Sequence, residues 1–229
     1  MKTHLVFFIC LGTVTGLSGV QADELVKPSS EGWKYLDKAD KPAKDWNKIE
    51  FDDSKWKEGK APLGYGDDDI KTKISFGDDE GNKIPFALFR KTVEIKDLKE
   101  IAGVAGYAIF DDGAIVYVNG KEVMRLNVPE GKIKHTDSAI LAKGGELERM
   151  KHAFAIPSEM LKDGKNVIAI EVHQVNASSS DLAVDLKLDS LKDKEKFAEI
   201  KKEADASVAL LKEQIKRSAE QQFDAGDVF

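Results

Sequence analysis

Val167-Ile168-Ala169-Ile170-Glu171-Val172-His173 and, after a polar loop, Leu182-Ala183-Val184-Asp185-Leu186-Lys187-Leu188-Asp189 decide the fold. A strand sends successive side chains to opposite faces. In the first run Ile168, Ile170 and Val172 therefore share one face, while Val167, Ala169, Glu171 and His173 share the other. In the second, Leu182, Val184, Leu186 and Leu188 oppose Ala183, Asp185, Lys187 and Asp189. Such alternation is that of a strand with one face on a core, and a one-residue slip would turn the apolar set outward.

Working upstream, Ala87 to Ile95 ends in the same alternation, with Val93 and Ile95 opposite Thr92 and Glu94. Gly106 to Phe110, Ile115 to Val118 and Ala153 to Ile156 also read as short strands. Asp-Asp-Gly at 111–113, Asn-Gly at 119–120 and Asp-Gly at 163–164 are turn signals between them. Short strands at close spacing, with no βαβ alternation, predict a mainly β chain built as an antiparallel β-sandwich or jelly roll.

Downstream the period changes. Phe197, Ile200, Ala204, Val208, Leu211, Ile215 and Ala219 recur in steps of three and four, which is a helix stripe. Ser190 reads as the N-cap, with Asp193 three residues on. No Gly or Pro interrupts Leu191 to Asp224, so the predicted helix is about 50 Å long. That exceeds what a small sandwich offers, which leaves two uses for the stripe: folding back on the domain, or homo-oligomerisation in a coiled-coil manner.

At the other end Lys2, the apolar run Leu5 to Leu17 and the small residues Val20-Gln21-Ala22 read as a secretory signal peptide. The expected organisation is therefore a leader at 1–22, a sandwich at 23–189 and a helical tail at 190–229, with a secreted or periplasmic destination. Nothing after the leader is long and apolar enough to span a bilayer as a helix. The single Cys10 lies inside the leader, so no mature thiol, disulfide or cysteine metal site is expected. Loss of Lys2 moves the formal charge from −6 to about −7. An acidic chain with scattered lysines lacks the basic stripe that nucleic acid requires.

The β region also resembles a family. Trp33 to Leu36, Trp46, the run Phe51-Asp52-Asp53-Ser54-Lys55-Trp56 through Ala61-Pro62-Leu63-Gly64-Tyr65-Gly66-Asp67, Phe89-Arg90-Lys91, Asp111 to Val123, Gly164 to Gln174 and Ser179 to Leu182 carry the resemblance. Together they look like the galactose-binding-domain-like jelly rolls of secreted bacterial proteins, over roughly Trp33 to Leu188. The resemblance implies a noncatalytic module, of the kind that accompanies glycosidases, with carbohydrate as partner. It requires no cofactor. It does allow a structural calcium, for which the acidic runs Asp67-Asp68-Asp69 and Asp78-Asp79-Glu80 offer oxygens, though neither has EF-hand spacing.

A sugar site needs carboxylates, amides, Arg or His for hydroxyls and an aromatic plate for the C–H face. Loop positions supply Asp111, Asp112, Arg125, His173, Asn176, Ser180 and Asp181, with Tyr65 as the aromatic among the chosen residues. Asn119 and Asn127 are further polar groups, and Trp33, Trp46, Trp56 and Tyr117 further plates. The same residues have structural uses: tryptophans fill cores, Asp-Asp-Gly bonds its own turn, and Arg90 pairs with a carboxylate. Catalysis finds little support. The histidines after the leader are His135, His152 and His173, no nucleophile or zinc motif is present, and Asp111 and Asp112 are too close in sequence to flank one bond. The rival expectations are a protein-interaction module assembled by the helix, and a hydrolase dependent on Asp111.

Overall fold

The computed structural model describes residues 22–38 and 41–226. Residues 1–21, with Cys10 and most of the expected leader, lie outside them. The strands in chain order are β1 (Ala22–Val26), β2 (Trp33–Leu36), β3 (Lys57–Gly59), β4 (Leu63–Tyr65), β5 (Thr72–Lys73), β6 (Phe86–Ile95), β7 (Gly103–Asp111), β8 (Gly113–Val118), β9 (Lys121–Leu126), β10 (His152–Pro157), β11 (Gly164–His173) and β12 (Leu182–Leu191), followed by helix α1 (Lys194–Gly226).

They form two sheets of six strands. One runs β10-β7-β12-β4-β5 with β1 also on β12, and the other runs β3-β2-β6-β11-β8-β9. Pairing is antiparallel throughout the described strands except for β4 with β5. The predicted sandwich is the observed one, and its parity is the predicted parity. Ile168, Ile170 and Val172 meet Leu182, Val184, Leu186 and Leu188 in the core, with Phe89, Val93, Val116 and Phe110 around them. The Asn119-Gly120 turn has positive φ at both residues (51° and 86°), as a tight hairpin between β8 and β9 demands.

Asp111-Asp112-Gly113 is not a hairpin turn. β7 ends at Asp111 in one sheet and β8 begins at Gly113 in the other, so Asp112 alone carries the chain across the sandwich. The local Asp-Gly signal is that of a sharp direction change, and sequence does not say whether such a change stays within a sheet.

The tryptophans divide. Trp33 is buried in the main core, whereas Trp46 lies on the outer face of the second sheet against Phe86, Leu88, Val167 and Ala169. Trp56 stacks on Trp46 at 6.2 Å, so the 41–56 segment forms a third, small layer. Arg90 pins it down. Its outward-facing side chain is 1% exposed and donates to Asp53 Oδ2 (2.7 Å), to Lys48 O (3.0 Å) and to Trp46 O.

The helix folds back. Phe197 and Ile200 pack on Ala105, Ala155 and Leu191 of the first sheet, and Leu211 and Ile215 join the main core. A Cβ on Gly103 would stand 2.3 Å from the Phe197 ring, so the glycine admits the helix at close range. Of the two uses open to the stripe, folding back is the one observed: it is in contact from Phe197 to Ala219, in a helix that runs on to Gly226. The N-cap is also corrected. Asp193 Oδ1 accepts the Lys196 N–H (2.9 Å), while Ser190 still belongs to β12, which pairs with β1 and β7 as far as Leu191.

Two substitutions test these packings. Ile200→Ala should cost about 2–4 kcal/mol in denaturant unfolding. Arg90→Ala should cost about 2–4 kcal/mol, because it strands buried carbonyls, and should red-shift tryptophan emission while leaving the far-UV spectrum of the sheets intact.

Candidate functional site

Gly64 and Gly66 build one end of the sandwich. A Cβ on Gly64 would lie 1.8 Å from Leu182 O, and one on Gly66, at φ +95°, 2.4 Å from Asp181 Cβ. Only glycine lets the end of β4 press against the entry to β12. Tyr65, between them, is 4% exposed and rests edge-on against Phe76 at 5.2 Å.

Asp112 knits the neighbouring loops. Its Oδ1 accepts the Lys143 N–H (2.6 Å) and its Oδ2 the Val175 N–H (2.9 Å). Asn127 adds a bond from Nδ2 to Asp112 O (3.2 Å) and two bonds to the Leu141 backbone. Gln174 Nε2 donates to Asp111 O (2.7 Å). With these ties made, Tyr65 Oη, Asp111 Oδ1 and Gln174 Oε1 remain buried without a hydrogen-bond partner.

Acids surround that end. Asp67, Glu148 and Asp181 each place a carboxylate oxygen within 4.8 Å of the others. Ser180 Oγ donates to Asp181 Oδ1 (2.6 Å) and the Gly145 N–H to Glu148 Oε1 (2.9 Å). Arg149 bridges Asp67 (2.7 Å) and Asp69 (2.5 Å). Burial, with Asp112 and Asp181 nearby, pushes the Asp111 carboxyl up to about 8. Burial likewise raises Asp67 and Glu148 above the ordinary carboxylate range, with Asp181 adding to both. Lys143 Nζ donates to Phe110 O (2.6 Å) and lies 3.2 Å from His152 Nε2, and the Asp111 and Asp112 charges act on it from nearby. Burial lowers this amine to about 8, and burial together with Lys143 holds His152 well below its usual value.

Of the residues singled out in the sequence, Tyr65, Asp111, Asp112 and Asp181 converge here. Ser180 contributes through its bond to Asp181. Arg125 and His173 lie instead on the outer face of the second sheet, with their polar atoms committed. Arg125 is held by Glu122 (2.9 and 2.8 Å) and Pro129 O (2.5 Å). His173 is 1% exposed between Glu171 Oε1 (3.1 Å) and Asp137 O (2.7 Å), under the 134–139 loop. Asn176 closes a local turn on Ser178. The expected aromatic plates are absorbed too. Trp33 and Trp46 are buried, and Trp56 and Tyr117 belong to the outer layer. The run Asp78-Asp79-Glu80 stays apart, with Asp79 capping its own turn at Gly81.

Sequence reasoning missed Lys143, Glu148, Arg149, His152 and the role of Gln174. The 139–151 segment has neither period nor motif, and long-range ties to Asp112, Asn127, Gln174 and Asp67 bring it to the site.

A titration follows from Asp111. The unfolded chain releases its proton in the ordinary carboxylate range, whereas the folded chain keeps it to about 8. Over that interval rising pH therefore favours unfolding. In metal-free buffer Asp111→Asn should flatten the fall in melting temperature between pH 5 and about 8, and should be the more stable form at the upper end. A variant that is less stable there would show that the charge pair with Lys143 dominates instead.

No protein-family model matches the chain, and comparison with curated proteins finds no match. Among solved structures it is similar to a Bacteroides uniformis β-glucuronidase, with TM-score 0.51 and 18% identity over 74% of this chain and 18% of that one. It is also similar to Bacteroides uniformis β-glucuronidase 2 covalently bound to cyclophellitol-6-carboxylate aziridine, with TM-score 0.50 and 16% identity over the same shares. The chain thus spans less than a fifth of either enzyme, and what it has in common with that part is a β-sandwich fold.

Proposed function

We propose that the chain is an exported, noncatalytic binding module whose ligand is a carbohydrate, taken at the sandwich end lined by Tyr65, Asp67, Asp111, Glu148, Gln174 and Asp181. One observation carries the reading: Tyr65 Oη, Asp111 Oδ1 and Gln174 Oε1 are each buried without a partner. Leaving such groups unpaired is costly. A polyhydroxylated ligand offsets that cost, because each hydroxyl both donates and accepts. The sandwich likeness to part of two β-glucuronidases adds an association between this fold and sugar chemistry. The leader adds export to where polysaccharides are met.

Binding is favoured over hydrolysis because Asp112 spends both oxygens on backbone N–H groups, so the adjacent acids do not act as a free pair. Assembly through the helix has less support, since the apolar stripe of α1 lies on its own sandwich.

Calorimetric titration of the leaderless chain with plant, algal and bacterial glycans should give binding to at least one of them. Tyr65→Phe should then weaken it about fivefold to tenfold, the worth of one hydrogen bond, with the melting temperature little changed. Silence across all the glycans would remove the reading. Release of reducing sugar that disappears in Asp111→Ala would replace it with hydrolysis.

A further inference from the structure

We propose that His152 and Lys143 form an acid-operated latch: a proton taken up by the His152 ring displaces the Lys143 side chain and loosens the 139–151 segment from the sandwich end. This goes beyond the carbohydrate reading and stands whether or not that reading holds.

The latch begins with strand parity. β10 opens at His152, which shares a face with the core residues Phe154 and Ile156. The ring is 3% exposed and stacks on Phe110, with centroids 4.5 Å apart. Lys143 reaches the same place from the loop side. Its Nζ donates to Phe110 O (2.6 Å), lies 4.2 Å from the centre of the Phe110 ring and stands 3.2 Å from His152 Nε2. An ammonium has donors only, so Nε2 accepts, and the neutral ring keeps its one proton on Nδ1. That Nδ1 is buried without a hydrogen-bond partner among the described residues. A second ring proton therefore sets one N–H against a cation and leaves the other unpaired.

No neighbour relieves either end. The cavity beside the pair, about 30 Å³, is lined by Leu141, Met150, Leu211 and Ile215. Asn127, which also lines it, bonds through its amide to Asp112 O and the Leu141 backbone. The charges that act on the pair are few. Lys143 acts on His152, while Asp111 and Asp112 from the sheet crossing and Glu148 from the loop act on Lys143. α1 meets the pair with Leu211 and Ile215, and β9 with Leu126. Burial lowers the Lys143 amine to about 8, so below neutrality it is still an ammonium and the arriving proton meets a charged group.

The latch holds the segment at the crossing. Lys143 ties it there twice, through Nζ to Phe110 O and through its backbone N–H to Asp112 Oδ1 (2.6 Å). The same segment carries Glu148, which meets Asp67 and Asp181, and Arg149, which bridges Asp67 and Asp69. The opened segment takes the proton in the ordinary imidazole range, at about 6.5, and the closed one resists it, so acid favours opening. Asp111, raised to about 8, acts in the opposite sense. The latch is therefore read against a variant in which His152 alone no longer titrates.

Hydrogen exchange of the leaderless chain, followed by mass spectrometry at pH 7 and pH 5, compares wild type with His152→Gln. The Gln side chain accepts from Lys143 and carries no titrating group. In peptides covering 139–151 the exchange rate of wild type over variant should rise about twentyfold from pH 7 to pH 5. In β11 and β12 that ratio should stay constant. A flat ratio in the segment overturns the inference, as does an equal rise everywhere, which is global acid unfolding. Wild type alone keeps the test open if the variant fails to fold. The nitrogen NMR signals of His152 should remain those of a neutral Nδ1–H ring in folded protein well below its ordinary range. A ring that charges near about 6.5 while the segment stays protected overturns the inference. Lys143→Met, which removes the opposing cation, should raise the pH at which the ring charges, and an unchanged titration overturns the inference as well.

Discussion

The site depends on a crossing one residue long. β7 closes in one sheet and β8 opens in the other, and Asp112 is all the chain between them. A bend that short leaves backbone donors of neighbouring segments facing inward, and buried donors must be paired. The Asp112 carboxylate pairs two of them, at Lys143 and Val175, which brings the 139–149 segment and the exit of β11 to the same end. Asp111 is carried along with one oxygen left over. The two adjacent acids thus have opposite fates, one spent on the scaffold and one left with a buried oxygen unpartnered.

The second constraint is steric. Tyr65 lies between two glycines because β12 runs so close to β4 that no side chain fits at either position. This closeness brings Asp181 to Asp67 across 114 residues of chain, and the sheet register does the rest, with Leu182 opposite Tyr65. A surface cluster of acids is ordinarily spread by repulsion. Here backbone packing holds Asp67 and Asp181 together, and burial raises Asp67 and Glu148, with Asp181 adding to both.

Much of the architecture was legible in the sequence. Period-2 alternation in β11 and β12 carries the parity of the core directly, because a half-buried strand has no other way to hide its apolar residues. Asn119-Gly120 and the stripe of α1 were equally open to reading. The helix start was not, since Ser190 and Asp193 are both good caps and the choice falls to whichever residue the sheet releases. Four of the residues named for the site meet there. Arg125 and His173 do not, because their partners, Pro129 O and Asp137 O, belong to a loop whose path no local pattern records. Trp46 misleads in a related way. Its use depends on Arg90, an outward-facing anchor for a segment that wraps the outside of a sheet.

The placement of α1 also bears on how copies of this protein coexist at high concentration. β9 and β10 are the outer strands of their sheets, and the helix packs on both. The boundary strands left bare are three-residue β3 and two-residue β5, each with a lysine, and β1, which carries Asp23 and Glu24. Unpaired backbone in a long flat boundary strand is a template for polymerisation, and brevity and charge are how sheets avoid it. The tail thereby acts as a guard against fibre growth on the two six-residue edges, where brevity is not available.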